Sequence, residues 1–166
     1  MNFHSVIPSA HKACFLVLLL FLCAATPLSA AERPPAPFAK DGKYGYRDRQ
    51  RNVVIAPRFD FAGDFAEGLA PVGVGVYPET KWGFIDLKGK FVIQPQFEAA
   101  HPFSEGLAAV KLGGKLGYVD QTGKVIVEPL YDEALPFEGG RARVRILKEG
   151  YGYINARGEI IEPLRK

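Results

Sequence analysis

From Lys43 onward the chain states one pattern three and a half times, and this periodicity constrains the fold more than any single residue. Lys81 to Val110 reads KWGFIDLKGKFVIQPQFEAAHPFSEGLAAV, and Lys115 to Val144 reads KLGYVDQTGKVIVEPLYDEALPFEGGRARV. A looser copy covers residues 43–72, and a truncated one covers 150–164. Gly45, Gly83, Gly117 and Gly152 mark the copies at spacings of 38, 34 and 35 residues. A fixed period in this range specifies a stacked or radial array. Residues found in every copy then build the unit, so the sequence speaks to architecture and address before it speaks to a partner.

The first 31 residues read as a secretory signal. His11 and Lys12 end a short polar region, thirteen apolar residues follow (Ala13 to Ala25), and Pro27 breaks any helix. Ser29, Ala30 and Ala31 supply the small residues of a cleavage site after Ala31. Thirteen helical residues span about 20 Å, short of the roughly 30 Å hydrocarbon core, so the segment is expected to be removed rather than to remain as a membrane span. Both cysteines, Cys14 and Cys23, lie inside this leader, and the mature chain has none. Export permits disulfides; this fold must do without them. Loss of Lys12 leaves 20 basic residues against 18 acidic ones, a net charge of +2. So small a surplus gives no general reason to expect nucleic acid or an anionic membrane as partner. Residues 32–40 form a Pro-rich spacer, and the repeat domain is expected over 41–166.

Within one copy, Trp82 and Phe84 alternate with Gly83 and Ile85, as a strand requires. Asp86-Leu87-Lys88-Gly89 then has the chemistry of a hairpin turn, in which Asp accepts a backbone hydrogen bond and Gly tolerates positive φ. Asp120 and Gly123 repeat these roles, and Asn155 with Gly158 fills them without a charge. The turn, not the carboxylate, is what the position needs. Phe91-Val92-Ile93 and its counterparts form a returning strand that ends at Pro57, Pro95, Pro129 or Pro163. A turn rich in Ala, Pro and Gly leads to a third strand, Gly106 to Val110 in this copy. The expected unit is a three-stranded meander of about 34 residues, all β, whose exposed apolar face must be covered by its neighbours. An open, curved stack is the leading architecture and a closed propeller-like ring the alternative.

The pattern of aromatic-Gly-aromatic, Asp-x-x-Gly, Val-Ile-x-Pro and Glu-Gly-Leu-Ala resembles the WG-repeat (KWG) family of bacterial β-repeat proteins over about residues 43–164. Trp82 is the single true Trp; Tyr44, Leu116 and Tyr151 hold its place elsewhere. Arg51 replaces the turn Gly, Arg47 replaces the Ile of the first strand, and Arg141 replaces the Leu of Glu-Gly-Leu. The resemblance implies an exported β-rich interaction module and brings no catalytic residues.

The inventory of reactive groups is thin. After the leader the chain holds one serine, Ser104, and one histidine, His101, beside Pro102 and without the strand-turn-helix setting of a serine nucleophile. One histidine and no cysteine leave no zinc ligand set, and no metal or cofactor is expected. Glu67 and Glu105 are the candidates for a carboxylate pair acting on polysaccharide, but they are repeat equivalents and read first as turn residues. Two arginine stripes are not explained by repetition. Arg141, Arg143 and Arg145 alternate along one strand, and Arg47, Arg49 and Arg51 surround the first hairpin turn. Guanidinium forks suit carboxylate, phosphate or sulfate, and the competing reading is a solvated face that protects an edge. Trp82, like Tyr44 and Tyr151, is a further candidate as a stacking platform for a sugar or peptide, and the competing reading is that aromatics at repeat-equivalent places belong to the core.

These features predict a secreted or periplasmic, non-enzymatic scaffold whose partner is a protein, a peptide or an anionic envelope polymer. The alternative is a carbohydrate-active protein working through Glu67 or Glu105.

Overall fold

The computed structural model describes residues 33–165, so the secretory leader read in residues 1–31 lies outside the described residues. Fifteen strands and no helix make up the described chain. They form four antiparallel sheets in chain order. The first contains β1 (Ala36–Lys40), β2 (Lys43–Arg47) and β3 (Val53–Phe59). The second contains β4 (Phe61–Ala62), β5 (Leu69–Val74), β6 (Lys81–Asp86) and β7 (Phe91–Phe97). The third contains β8 (Ala99–Ala100), β9 (Leu107–Leu112), β10 (Lys115–Asp120) and β11 (Val125–Tyr131). The fourth contains β12 (Glu133–Ala134), β13 (Arg141–Ile146), β14 (Gly150–Asn155) and β15 (Ile160–Arg165).

The sheets run out of phase with the sequence copies. The third strand of one copy joins the sheet of the next: β5 pairs with β6, and β6 in turn with β7. A two-residue strand makes each complete sheet four-stranded, one more than the meander read from the sequence. The truncated last copy therefore completes the sheet that β12 and β13 begin. At the other end Ala36–Lys40, assigned above to the spacer, form β1 and stand where a preceding copy would supply its third strand. Pro37 does not prevent this, because β1 is an edge strand and its unpaired side needs no N–H donor.

Side-chain alternation on the middle sheets buries both faces. Tyr46, Ile55 and Phe59 of the first sheet pack with Ala70, Val72 and Ile85 of the second. Leu69, Phe84, Ile93 and Phe97 of the second pack with Ala108, Val110 and Val119 of the third. Leu107, Ala109, Tyr118 and Val127 of the third pack with Ala142, Val144 and Ile154 of the fourth. One Phe per interface, Phe65, Phe103 or Phe137, lies 4.8 Å (ring centroid to centroid) from Tyr46, Phe84 or Tyr118 respectively. Among the described residues these three cores join consecutive sheets only; a ring would need a fourth between the first sheet and the last. Residues 33–165 form an open stack of meanders.

The Gly of the aromatic-Gly-aromatic motif owes its presence to a bulge. Trp82 pairs with Phe97 and Phe84 with Ile93, so Gly83 alone faces Gln94, Pro95 and Gln96. A Cβ on Gly83 would sit 2.5 Å from the Ile93 carbonyl oxygen and 2.7 Å from the Pro95 nitrogen. The bulge also explains how a proline persists inside a paired strand: its position falls where the ladder is already broken.

Candidate functional site

Repeat equivalence places the two arginine stripes at opposite ends of the stack. Arg47 occupies the place of Ile85, which faces the preceding sheet and is fully buried. The first sheet has no preceding sheet among the described residues, and Arg47 lies there with its guanidinium 5.6 Å from the Phe38 ring. Arg141 and Arg143 occupy the places of Leu107 and Ala109, which face the following sheet. Ala142 and Val144 turn into the core, so the arginines between them point outward from the last sheet. The arginines depart from the repeat at the faces that no further copy covers among the described residues. A stack of this kind requires polar outer faces on its terminal units.

The last sheet forms the larger site. In register across β13 and β14, Arg143 pairs with Tyr153 and Arg145 with Tyr151. The Arg141 guanidinium lies 4.8 Å from the Tyr153 ring, and those of Arg143 and Arg145 lie 4.9 and 5.3 Å from the Tyr151 ring. Arg141 forms an ion pair with Glu162 at 2.9 Å, and Arg145 pairs with Glu133. Arg143 has no carboxylate partner among the described residues. An open cleft of about 860 Å³ lies beside it, lined by Leu135, Pro136, Glu138, Arg141, Arg143 and Tyr153 among others. Its chemistry is a guanidinium with free donors over an aromatic floor, suited to a carboxylate or a similar oxyanion.

Tyr153 and Glu162 belong to this face and were not singled out from sequence. Their signal was a spacing. Pro163 follows Asn155 by eight positions, where Pro95 follows Asp86 and Pro129 follows Asp120 by nine. The missing residue sets Glu162 opposite Tyr153, where Ile93 stands opposite Phe84. An apolar core position becomes a surface acid that pairs with Arg141.

Arg49 and Arg51 are exposed at the turn between β2 and β3, on the first sheet, and do not join the face that Arg143 lines. Arg51 adopts φ +70°, the left-handed conformation that Gly89, Gly123 and Gly158 hold in the other copies. Trp82 is half-buried against the second core and touches Phe61, away from both arginine groups.

Glu67 and Glu105 sit at positive φ in two-residue turns, Glu67-Gly68 and Glu105-Gly106. Their carboxylates serve the next copy. Glu67 accepts from the Gly106 N–H at 2.9 Å, and Glu105 accepts from the N–H groups of Gly139 and Gly140 at 2.7 and 2.8 Å. The Ser104 hydroxyl donates to the Phe137 carbonyl at 2.7 Å, which also ties one copy to the next, while His101 is exposed in its turn. No group of three His, Cys, Asp or Glu side chains among the described residues is placed to hold a metal ion.

Acids at a second equivalent position close the hairpins between copies. Asp60 accepts from Lys43 Nζ at 2.6 Å and from the Gly75 N–H at 2.9 Å. Asp132 does the same with Lys115 Nζ and the Leu147 N–H. The lysine hydrogen bond in each case, helped by the backbone donor, holds the carboxyl below the usual carboxylate range. Burial pushes the phenols of Tyr46 and Tyr118 far above their ordinary value, and each donates to a loop carbonyl, of Gly63 and Leu135 respectively.

Three segments of the chain, residues 44–75, 82–115 and 117–148, match the family model described as WG containing repeat. No curated protein matches the chain.

Proposed function

Because this chain belongs to the family of WG containing repeats, we propose that it is an exported, non-enzymatic scaffold of the cell envelope. It captures an acidic protein or peptide segment on the outer face of its last sheet. The observation that carries this reading is Arg143: an outward guanidinium without a carboxylate partner, held over Tyr151 at the wall of an open cleft. Its neighbours Arg141 and Arg145 are neutralised by Glu162 and Glu133, which leaves Arg143 as the donor a ligand would meet. The signal-like leader supports export. The engagement of Glu67 and Glu105 with backbone N–H groups of the next copy supports an assembly role for these acids over polysaccharide chemistry.

A fluorescent glutamate-rich peptide, titrated with the full chain and followed by anisotropy, tests the proposal. Wild type binds with an affinity that falls as salt rises, since exposed charges are screened over about 10 Å at 0.1 M. Arg143→Glu lowers the affinity at least tenfold, whereas Arg49→Glu leaves it within twofold. Equal loss in both variants, or binding that Arg143→Glu does not alter, contradicts the assignment.

A further inference from the structure

A second site lies on the second sheet, in a row of residues that the repeat does not require. Phe61 pairs with Gly73 and Gly73 with Trp82, across β4, β5 and β6. The corresponding rows are Ala99, Lys111 and Leu116 on the third sheet, and Glu133, Arg145 and Tyr151 on the fourth. Among the described residues an aromatic pair bridged by glycine therefore occurs on this sheet alone. Gly73 makes the pair possible: a Cβ there would meet Phe61 at 3.1 Å and Thr80 at 3.0 Å. With that space open, the rings of Phe61 and Trp82 lie 5.9 Å apart at 30°.

The same sheet carries the longest β5–β6 connection. The 38-residue spacing between Gly45 and Gly83 exceeds the next spacing by four residues, and the excess falls in the segment Gly75 to Thr80. Insertions in repeat arrays map to loops on one face, often the binding face. This loop brings Tyr77 and Pro78 to the aromatic pair, where they line a cleft of about 210 Å³ with Phe61, Thr80, Trp82 and Glu98. Tyr77 is 82% exposed and Phe61 39%, while Val76 next to Tyr77 is also in solvent. A four-residue excess that displays an aromatic to water gains nothing from burial.

We propose that Phe61, Tyr77, Pro78 and Trp82 form a docking site for an extended, proline-containing peptide segment bearing a basic residue. Several features select this occupant. The walls are rings that pack against a pyrrolidine, and a polyproline helix arrives with its backbone already ordered. The cleft has room for one or two such rings. Glu98 is the one charged residue in its lining; its carboxylate accepts from the Gly114 N–H at 3.1 Å yet keeps its negative charge, so the complementary flank is a Lys or Arg. Few polar groups converge there, which disfavours a sugar with its ring of hydroxyls. Thr80 is already committed through its hydroxyl to the Gly75 carbonyl.

Trp82 is the chain's single tryptophan, so its emission reports on this cleft directly. The test titrates the full chain with the peptide Ala-Pro-Pro-Pro-Pro-Arg and, separately, with cellohexaose, following Trp82 fluorescence and the heat of binding. The proposal predicts a saturable emission change with the peptide and none with the oligosaccharide. Tyr77→Ala, an exposed position whose truncation leaves the core intact, lowers peptide affinity at least tenfold with an unaltered circular-dichroism spectrum. Glu98→Gln weakens the arginine-bearing peptide at least threefold and leaves an Ala-terminated version unchanged. Saturable binding of the oligosaccharide in place of the peptide overturns the proposal, as does the absence of peptide binding at millimolar concentration. Peptide binding that Tyr77→Ala leaves intact also overturns it.

Discussion

The Glu105 carboxylate reaches across a copy boundary and accepts from the Gly139 N–H at 2.7 Å, with its second oxygen on the Gly140 N–H at 2.8 Å. The two residues are 34 positions apart, one repeat, and they occupy the same place in successive copies. A turn that needs positive φ at both central residues is thereby fixed by an acid from the turn before it. Glu105 itself holds φ +53°, a conformation a non-glycine residue adopts only at a cost.

Replacing that carboxylate separates assembly from chemistry. Glu105→Gln sets an amide donor against a backbone donor and is expected to destabilise the chain by about 1 kcal/mol, the usual worth of an intramolecular hydrogen bond. Urea denaturation measures this. The glutamate-rich peptide should still bind the variant, because Arg143 and Tyr151 are untouched, and any weakening measures how far the Gly139 wall of the cleft depends on Glu105. A variant of undiminished stability would remove the stapling role.

Gly83 makes a sharper demand. Its missing Cβ is the space that the Ile93 carbonyl and the Pro95 ring nitrogen occupy. Backbone cannot swing aside as a flexible side chain can, so Gly83→Ala should cost at least the roughly 1–3 kcal/mol of an overpacked core. Ala in place of the exposed Gly113, where a Cβ meets nothing within 4 Å but φ is +56°, gives the cost of backbone strain without crowding. Thermal melts of the two variants give the comparison, with Gly83→Ala the lower.

Stability should fall at both extremes of pH, for opposite reasons. Lys43 and Lys115 lower the carboxyl pKa of Asp60 and Asp132, and the Thr122 hydroxyl together with backbone donors lowers that of Asp120. Their folded values lie below the unfolded value of about 3.9. Below that value the unfolded chain takes up protons that the folded chain resists, so the stabilisation present at neutral pH is lost as pH drops through the folded values. Buried Tyr46 and Tyr118 work in the other direction. Their folded pKa lies above the unfolded value of about 10, so their contribution is complete below pH 10 and disappears as pH rises beyond it. Urea midpoints between pH 2 and 11 should trace a plateau with two falling limbs. Lys43→Met with Lys115→Met should flatten the acid limb; an unchanged limb contradicts the assignment.

How far the sequence reads ahead of the structure depends on what each residue answers to. Strands and turns were legible because Asp86 with Gly89, and Pro95 with Phe97, obey local rules. The meaning of Arg47 and Arg141 was not, because it depends on which sheet lies beside them. A strand face looks alike in sequence whether the next sheet covers it or water does. The one-strand offset between copies and sheets was hidden for the same reason, since pairing of β5 with β6 crosses the boundary that the repeat itself suggests. Trp82 was legible as an aromatic but not as half of a pair, because its partner Phe61 reaches it only over Gly73, on a neighbouring strand.

Arg47, Arg141 and Arg143 hold the ends of the stack, and restoring interior residues there gives the most direct measurement of this account. A full chain carrying Arg47→Ile, Arg141→Leu and Arg143→Ala presents at both ends the side chains of buried positions 85, 107 and 109. Sedimentation velocity across a concentration series should show this variant associating end to end into a ladder of species, while wild type does not change with concentration. A variant that keeps its β-sheet spectrum and sediments as wild type does would contradict the claim that arginine at these places is what stops the array from continuing.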